Sequence, residues 1–426
     1  MYRLMVAALC GAAWCSSLVQ ADDIRHPKDR GIAVEEAVTR ALAASPSIKA
    51  RDERVKGSDA AIRQSDTLPN PEIDVELENF AGSGQLRNFG ESELTLGVSQ
   101  RIERGGKRSG RVAVAVAERD IAVIERSRSF LQTALAAQRA FYDVCAAELL
   151  LAAHRQGFDA ATRIETLAKR RVASARDPIT VKLRAEIQTT IARGEVDRAQ
   201  VTSAAAKKTL AGLWGSTDTN FDVDTTSFLS IPDQDPAVDV SASPEMQSAE
   251  AAARRADAMV TSENAKAQTD VSVGVGLRRF QADNEVAGVL SLSVPLVVWD
   301  SNQGNIERSA AERLAAELDI AEARRIAEHE ILTLQADATS ARAEAMSIRT
   351  QLLPRAEQAL TAARNGYDLG AFSYLELSES MRTLSELRRR EVEVLRNLHA
   401  ARASLTKYSI NQTERLTEDK TDGAEQ

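Results

Sequence analysis

Glu376 and Glu379 stand three residues apart in a segment of helical spacing, so their carboxylates project from one helix face. Asp74, Glu76 and Glu78 alternate with Ile73, Val75 and Leu77, which in a strand sets three carboxylates on one side and three apolar side chains on the other. By residue type and spacing alone these are solvated charged faces, or, where several copies converge, a ring of carboxylates of the kind that selects cations. Tight metal binding has no basis in the pattern. His26, His154, His329 and His399 are scattered, His329-Glu330 lacks the second histidine of a zinc-protease helix, and Cys145 falls in an apolar stripe. With no nucleophile–base set, phosphate loop or dinucleotide fingerprint, the sequence reads as a non-enzyme without cofactor or metal site.

The elements that must hold these carboxylates occur twice. Residues 71–111 and 269–309 repeat one plan at an offset of 198 residues: an alternating strand pair, a turn, then a very long helix. Ile73 maps on Val271, Pro46 on Pro244 and Gly106 on Gly304. The expected strands are about 71–80, 93–102, 269–279 and 286–297. Runs near ten residues suit tilted strands that cross a bilayer. Four strands are too few to close a membrane barrel, so several copies of the chain must share one. A carboxylate facing lipid at mid-bilayer is costly, which assigns Asp74, Glu76 and Glu78 to the barrel lumen.

Met1 to Ala21 carries one charge, Arg3, followed by an apolar run and by Val19 and Ala21 in the small-residue pattern of a secretory leader. Leu9 and Trp14, ahead of Cys10 and Cys15, are too large for a lipoprotein cleavage context. Without the leader the formal net charge of −8 becomes −9, which disfavours nucleic acid as a partner. Cys145 is then the only cysteine, so no internal disulfide can form. No later stretch is apolar enough for a transmembrane helix. Aromatic residues at 4% and abundant alanine suit closely packed long helices better than a large globular core.

Ser45-Pro46 and Ser243-Pro244 each open a helix, because serine caps and proline fits the first turn. From about Lys107 to Ser174 the helical pattern is nearly unbroken, with stripes Phe130, Ala134, Ala137, Phe141, Val144 and Leu131, Leu135, Tyr142, Cys145, Leu149 that call for two partner helices. Asp177-Pro178 marks a turn, and a return helix runs to about Leu213. The division is a leader (1–21), a first repeat (22–213), a link (214–243), a second repeat (244–410) and a disordered tail (411–426). In the second repeat Pro354 is expected to kink the long helix, and Gly366 to Gly370 to break it.

Four stretches, LPNPEIDVELENF (68–80), SQRIERGGKRSGR (99–111), PLVVWDSNQGNI (295–306) and NGYDLGAFSYLEL (365–377), resemble the TolC-like outer-membrane factors, most of all the branch associated with cobalt, zinc and cadmium resistance. The resemblance spans about residues 32–409. It implies a mainly α fold with a transmembrane β-barrel. Three chains build twelve strands, and coiled-coil helices extend the barrel as a periplasmic tunnel. It implies a homotrimer in the Gram-negative outer membrane, meeting a periplasmic adaptor and an inner-membrane pump of the resistance-nodulation-division (RND) type. Glu376 and Glu379 would line the tunnel entrance and favour cations. Tyr367, Asp368, Arg176 and Asp177 would hold it closed, with Gly366 and Gly370 in its turn. This family usually has glycine where Ala175 stands, which leaves the first turn's geometry open. The function implied is passive export of heavy-metal cations; a duct for drugs, or a soluble periplasmic coiled-coil adaptor, are the alternatives.

Overall fold

The computed structural model describes residues 31–409, so the expected leader and tail lie outside the described residues. Helices α1 (Val34–Ala44) and α2 (Pro46–Ser65) lead to strands β1 (Glu72–Glu78) and β2 (Glu93–Ile102). Helix α3 (Lys107–Ala173) follows and returns as α4 (Ile179–Leu213). At 1.5 Å per residue α3 is a rod of about 100 Å. A short helix α5 (Thr226–Leu229) punctuates the link. The second half contains α6 (Pro244–Lys266), β3 (Val271–Phe280), β4 (Val286–Ser293), α7 (Gln303–Ser347), α8 (Leu353–Leu369) and α9 (Tyr374–Leu405). Ser45 and Ser243 cap their helices in the same way, each hydroxyl accepting the N–H three residues on, from Ile48 and Met246, ahead of a first-turn proline.

The structure settles three local features, of which the end of β4 corrects the expected 286–297. The left-handed residue that launches the long helix is Gly106 (φ 77) in the first half but Asn302 (φ 61) in the second, while Gly304 lies inside α7. Asparagine tolerates this backbone, and its amide is anchored on the backbone and side-chain oxygens of Glu263, both at 2.9 Å. Strand β4 stops at Ser293 because Pro295 has no N–H for a ladder bond. At Pro354 the chain accommodates the missing donor with a π-helical turn, Ile348–Leu352, immediately before α8.

The strands form one antiparallel sheet in the order β1-β2-β3-β4. Its register aligns Ile73, Val98, Val275 and Leu290 across all four strands, and Val75, Leu96 and Leu277 across three. These side chains make a continuous apolar face open to the surroundings, with Ile73 at 74% and Leu290 at 77% exposure. The intervening rows are polar or small apart from Val289: Glu72, Ser99, Gly274, Ser291; Asp74, Gly97, Gly276, Val289; Glu76, Thr95, Arg278, Ala287. Strands β1 and β4 each keep one unpaired edge within the chain.

Helix α3 finds two partners at every level. Its first part takes α2, through Arg126–Asp52 and Ser129–Ser47, and α6, through Arg255–Glu118. Its second part takes α4, through Glu148–Ser203, and α9, through Arg139–Ser404 and Asp143–Arg396. Ala137, Phe141, Val144 and Cys145 of the expected stripes are fully buried, whereas Phe130 is 40% exposed. Alanine dominates the buried positions, including Ala37, Ala338 and Ala345, so helix axes can approach closely. Asp235 of the link is clamped by Arg342 and Arg402, and His399 holds the Phe228 carbonyl at 2.7 Å.

Candidate functional site

The two helical hairpins turn at the end of the molecule farthest along α3, and their turns lie side by side. Both use a left-handed residue: Ala175 (φ 55) between α3 and α4, Gly370 (φ 82) between α8 and α9. The first turn thus keeps the geometry that favours glycine, at a strain of about 1–2 kcal/mol for alanine. Helix α8 continues through Gly366, and Gly370 ends it; the expected break is therefore confined to Gly370. Gly366 serves differently. Its carbonyl accepts from Ala371 and Phe372, and a Cβ there would sit 2.3 Å from the Phe372 ring.

Arg171, Asp177 and Tyr367 tie the turns together. The Tyr367 hydroxyl donates to Asp177 Oδ2 at 2.5 Å, Arg171 grips both Asp177 oxygens at 2.9 and 3.1 Å, and Arg171 donates to the Tyr367 carbonyl at 2.6 Å. The guanidinium also lies over the Tyr367 ring, 4.6 Å from its centroid. The Arg171 bonds, and then that from Tyr367, hold the Asp177 carboxyl below its usual range. Burial first, and the bond to Asp177 second, push the Tyr367 phenol upward. Ile164, Ala168, Ala185, Ala363, Tyr374 and Leu377 enclose the ring.

Arg176, expected among these contacts, is exposed and supplies only its backbone N–H, to the Arg171 carbonyl. The cation of the cluster is Arg171, whose place six residues before Asp177 across the hairpin was the available signal. Asp368 contributes its backbone carbonyl, 3.4 Å from Arg171, and its side chain is exposed.

Glu376 and Glu379 are both exposed near the start of α9, and both are engaged. Glu376 completes a capping box: its Oε2 accepts from the Ser373 N–H at 2.7 Å and hydroxyl at 2.9 Å, and these bonds hold its carboxyl below the usual range. Glu379 accepts from Arg382 at 2.5 Å. At the other end of the molecule, on the polar face of the sheet, Arg278 reaches Glu78 at 2.9 Å, Glu93 at 3.0 Å, Thr95 at 2.8 Å and Glu76 at 3.9 Å. Asp74 lies on the same face beside Gly97 and Gly276, outside this cluster. Arg278 had no assigned role from sequence, because its three carboxylate partners come from two other strands.

Among the described residues no group of three or more His, Cys, Asp and Glu side chains could hold a metal ion, and no helix is long and apolar enough to cross a membrane. A family model described as outer membrane efflux protein matches residues 37–216 and 240–409, one block in each repeat. The chain belongs to this family. As an outer membrane efflux protein it is 26% identical over 388 residues to the cobalt-zinc-cadmium resistance protein CzcC of Cupriavidus metallidurans, a match covering 88% of this chain and 89% of CzcC. It is 27% identical over 322 residues to the nickel-cobalt-cadmium resistance protein NccC of Alcaligenes xylosoxydans xylosoxydans, covering 72% of this chain and 67% of NccC. Among solved structures, the fold resembles CusC (TM-score 0.75, 16% identity, 88% of this chain and 92% of that one). It also resembles VceC from Vibrio cholerae (TM-score 0.71, 19% identity, 89% and 95%). The fold is that of the TolC-like channels, and the protein resides in the outer membrane with its helices reaching into the periplasm.

Proposed function

We propose that three copies of this chain close one twelve-stranded barrel and form the passive exit duct of a tripartite RND-type pump for heavy-metal cations. The observation that carries the reading is the sheet: one face is apolar and exposed over four strands, the other is polar, and both edges are unpaired. In an outer-membrane protein the apolar face must meet lipid, because charges there are expelled, so Asp74, Glu76 and Glu78 face the lumen. Edge strands in a bilayer must be paired, which further copies accomplish. A soluble periplasmic adaptor would leave this apolar face in water, and the sheet argues against that alternative.

Heavy-metal cations are supported as cargo by the names of CzcC and NccC and by the exposed carboxylates of Glu376 and Glu379 at the tip. A conduit needs weak, multiple contacts and no tight site. The Tyr367–Asp177–Arg171 cluster, at the end farthest from the sheet, is the closure of the entrance. A periplasmic adaptor and an inner-membrane pump meet that end and supply energy.

Purified protein in a planar bilayer is expected to conduct and to prefer cations. Glu376→Gln combined with Glu379→Gln is expected to lower that preference; an unaltered reversal potential overturns the entrance assignment. Failure ever to conduct, with no trimer in outer membranes, overturns the duct. For cargo, a deletion strain is expected to lose tolerance to zinc, cobalt, cadmium or nickel; altered tolerance to hydrophobic drugs alone selects the drug duct.

A further inference from the structure

The polar face of the sheet carries the strand carboxylates Glu72, Asp74, Glu76 and Glu78 of β1 and Glu93 of β2. Glu72 and Asp74 stand opposite the uncharged Ser99 and Gly97, and neither enters an ion pair among the described residues, so each meets a cation alone. The far end of β1 is different. Glu78 and Glu93 are direct cross-strand partners, where like charges repel, and Glu76 lies two residues along the same face. Arg278 reaches back from β3 across β2 to this group and lies along the wall. Its Nε donates to the Thr95 hydroxyl at 2.8 Å, Nη1 to Glu93 at 3.0 Å, and Nη2 reaches Glu78 at 2.9 Å and Glu76 at 3.9 Å. Glu93 also accepts from the Asn79 amide at 3.0 Å. On β4 the partner of Arg278 is Ala287, so no charge on that side competes for it. This end carries the loops between β1 and β2 and between β3 and β4, while α3 and α7 leave from the other.

We propose that Arg278 is a specificity-determining residue of the exit: its guanidinium holds the place a divalent cation would take among Glu76, Glu78 and Glu93, and so keeps the mouth from retaining the cations that pass it. This role rests on the conduit reading, which puts the polar face in the lumen and the loop end of the sheet at the outer mouth. Carboxylates from two strands gathered about one centre are the ligands of a chelate for an oxygen-seeking cation, and a conduit must let its cargo go. A tethered guanidinium occupies the same oxygens, keeps its charge at any physiological pH and cannot be exchanged. Three carboxylates against one guanidinium leave the rim net negative, so cations are still drawn to it. Deeper in the lumen Glu72 and Asp74 need no such counter-ion, because no second strand brings them a carboxylate partner.

The test records the full-length trimer in a planar bilayer while cadmium chloride is added on the side of the barrel loops. The half-blocking cadmium concentration is expected to fall about tenfold or more from wild type to Arg278→Gln, since carboxylates freed of their counter-ion bind the metal more tightly. Arg278→Lys, which keeps the charge, is expected to behave as wild type, and Arg278→Gln combined with Glu78→Gln and Glu93→Gln to lose the added sensitivity. A residue that only ties strands together predicts no such order. Equal sensitivity of wild type and Arg278→Gln overturns the proposal, as does a Lys variant as sensitive as the Gln variant, or sensitivity that survives removal of Glu78 and Glu93. Trimers of Arg278→Gln that assemble only with cadmium present support it, because the ion then replaces the guanidinium; no trimer with or without cadmium refutes it. Calorimetric titration of the same trimers with cadmium in detergent reads the site without conduction. Tighter binding by Arg278→Gln in trimers that never conduct refutes the conduit and leaves the counter-ion; a conducting wild type with cadmium binding unchanged in the variant refutes the role of Arg278 alone.

Discussion

The phenolic hydroxyl of Tyr367 donates to Asp177 at 2.5 Å across 190 residues of sequence, and this bond joins the turn of the first repeat to that of the second. The two groups are held in the protonation states the bond requires, Asp177 ionised and Tyr367 neutral. Tyr367→Phe is expected to loosen the tip by about 1.5–3 kcal/mol, the usual worth of a hydrogen bond to a charged group. Larger single-channel conductance in bilayers is the readout. Asp177's lowered value makes its contribution complete above its unfolded value of about 3.8, fading as pH falls through the depressed one. Tyr367's raised value keeps its share intact below about 10. Conductance through the wild-type tip is therefore expected to be flat from pH 5 to 9.

Glu379 is partly neutralised by Arg382. Arg382→Gln is expected to strengthen cation preference, the opposite of Glu379→Gln, and reversal potentials in a salt gradient distinguish the two. Glu376→Gln keeps a capping side chain at the third helical position, whereas Glu376→Ala loses it and destabilises the start of α9. A lower melting temperature for the alanine variant alone checks this.

Leu290 and Ser291 are neighbours on β4 whose side chains fall on opposite faces. Leu290→Arg is expected to cost about 2–4 kcal/mol by placing a charge in lipid, while Ser291→Arg is tolerated in the lumen. Yield of heat-resistant trimer in outer membranes measures both; the reverse order would invert the sheet.

His399 is held neutral by burial, with its ring stacked 4.7 Å from Tyr142. A base whose folded value is lowered contributes stability above its unfolded value, about 6.5, and loses it as pH falls through the folded one. His154, lowered for the same reason, acts with the same sign. The melting temperature is expected to fall between pH 7 and 5, and His399→Gln to flatten that slope. Carboxylates with lowered values, such as Asp177 and Glu330, keep their contribution through this range and lose it only at lower pH.

Gly370→Ala is expected to destabilise the second turn by about 1–2 kcal/mol through its left-handed backbone. Gly366→Ala is expected to do more, by expelling the Phe372 ring from its place. Tip proteolysis rates compare the two.

Repeats, strand faces and helix starts were legible in the sequence because each rests on short-range periodicity. Alternation at Ile73, Val75 and Leu77 set the apolar side of β1, and Ser45-Pro46 and Ser243-Pro244 set two helix starts. The position of Glu376 and Glu379 on one exposed helix was legible for the same reason. The tertiary structure alone decided which groups meet. Arg171 rather than Arg176 clasps Asp177, Arg278 gathers carboxylates from β1 and β2, and Asn302, not a glycine, is the left-handed residue ahead of α7. Such contacts join residues far apart in the chain through side-chain reach and turn geometry, and no local period encodes either.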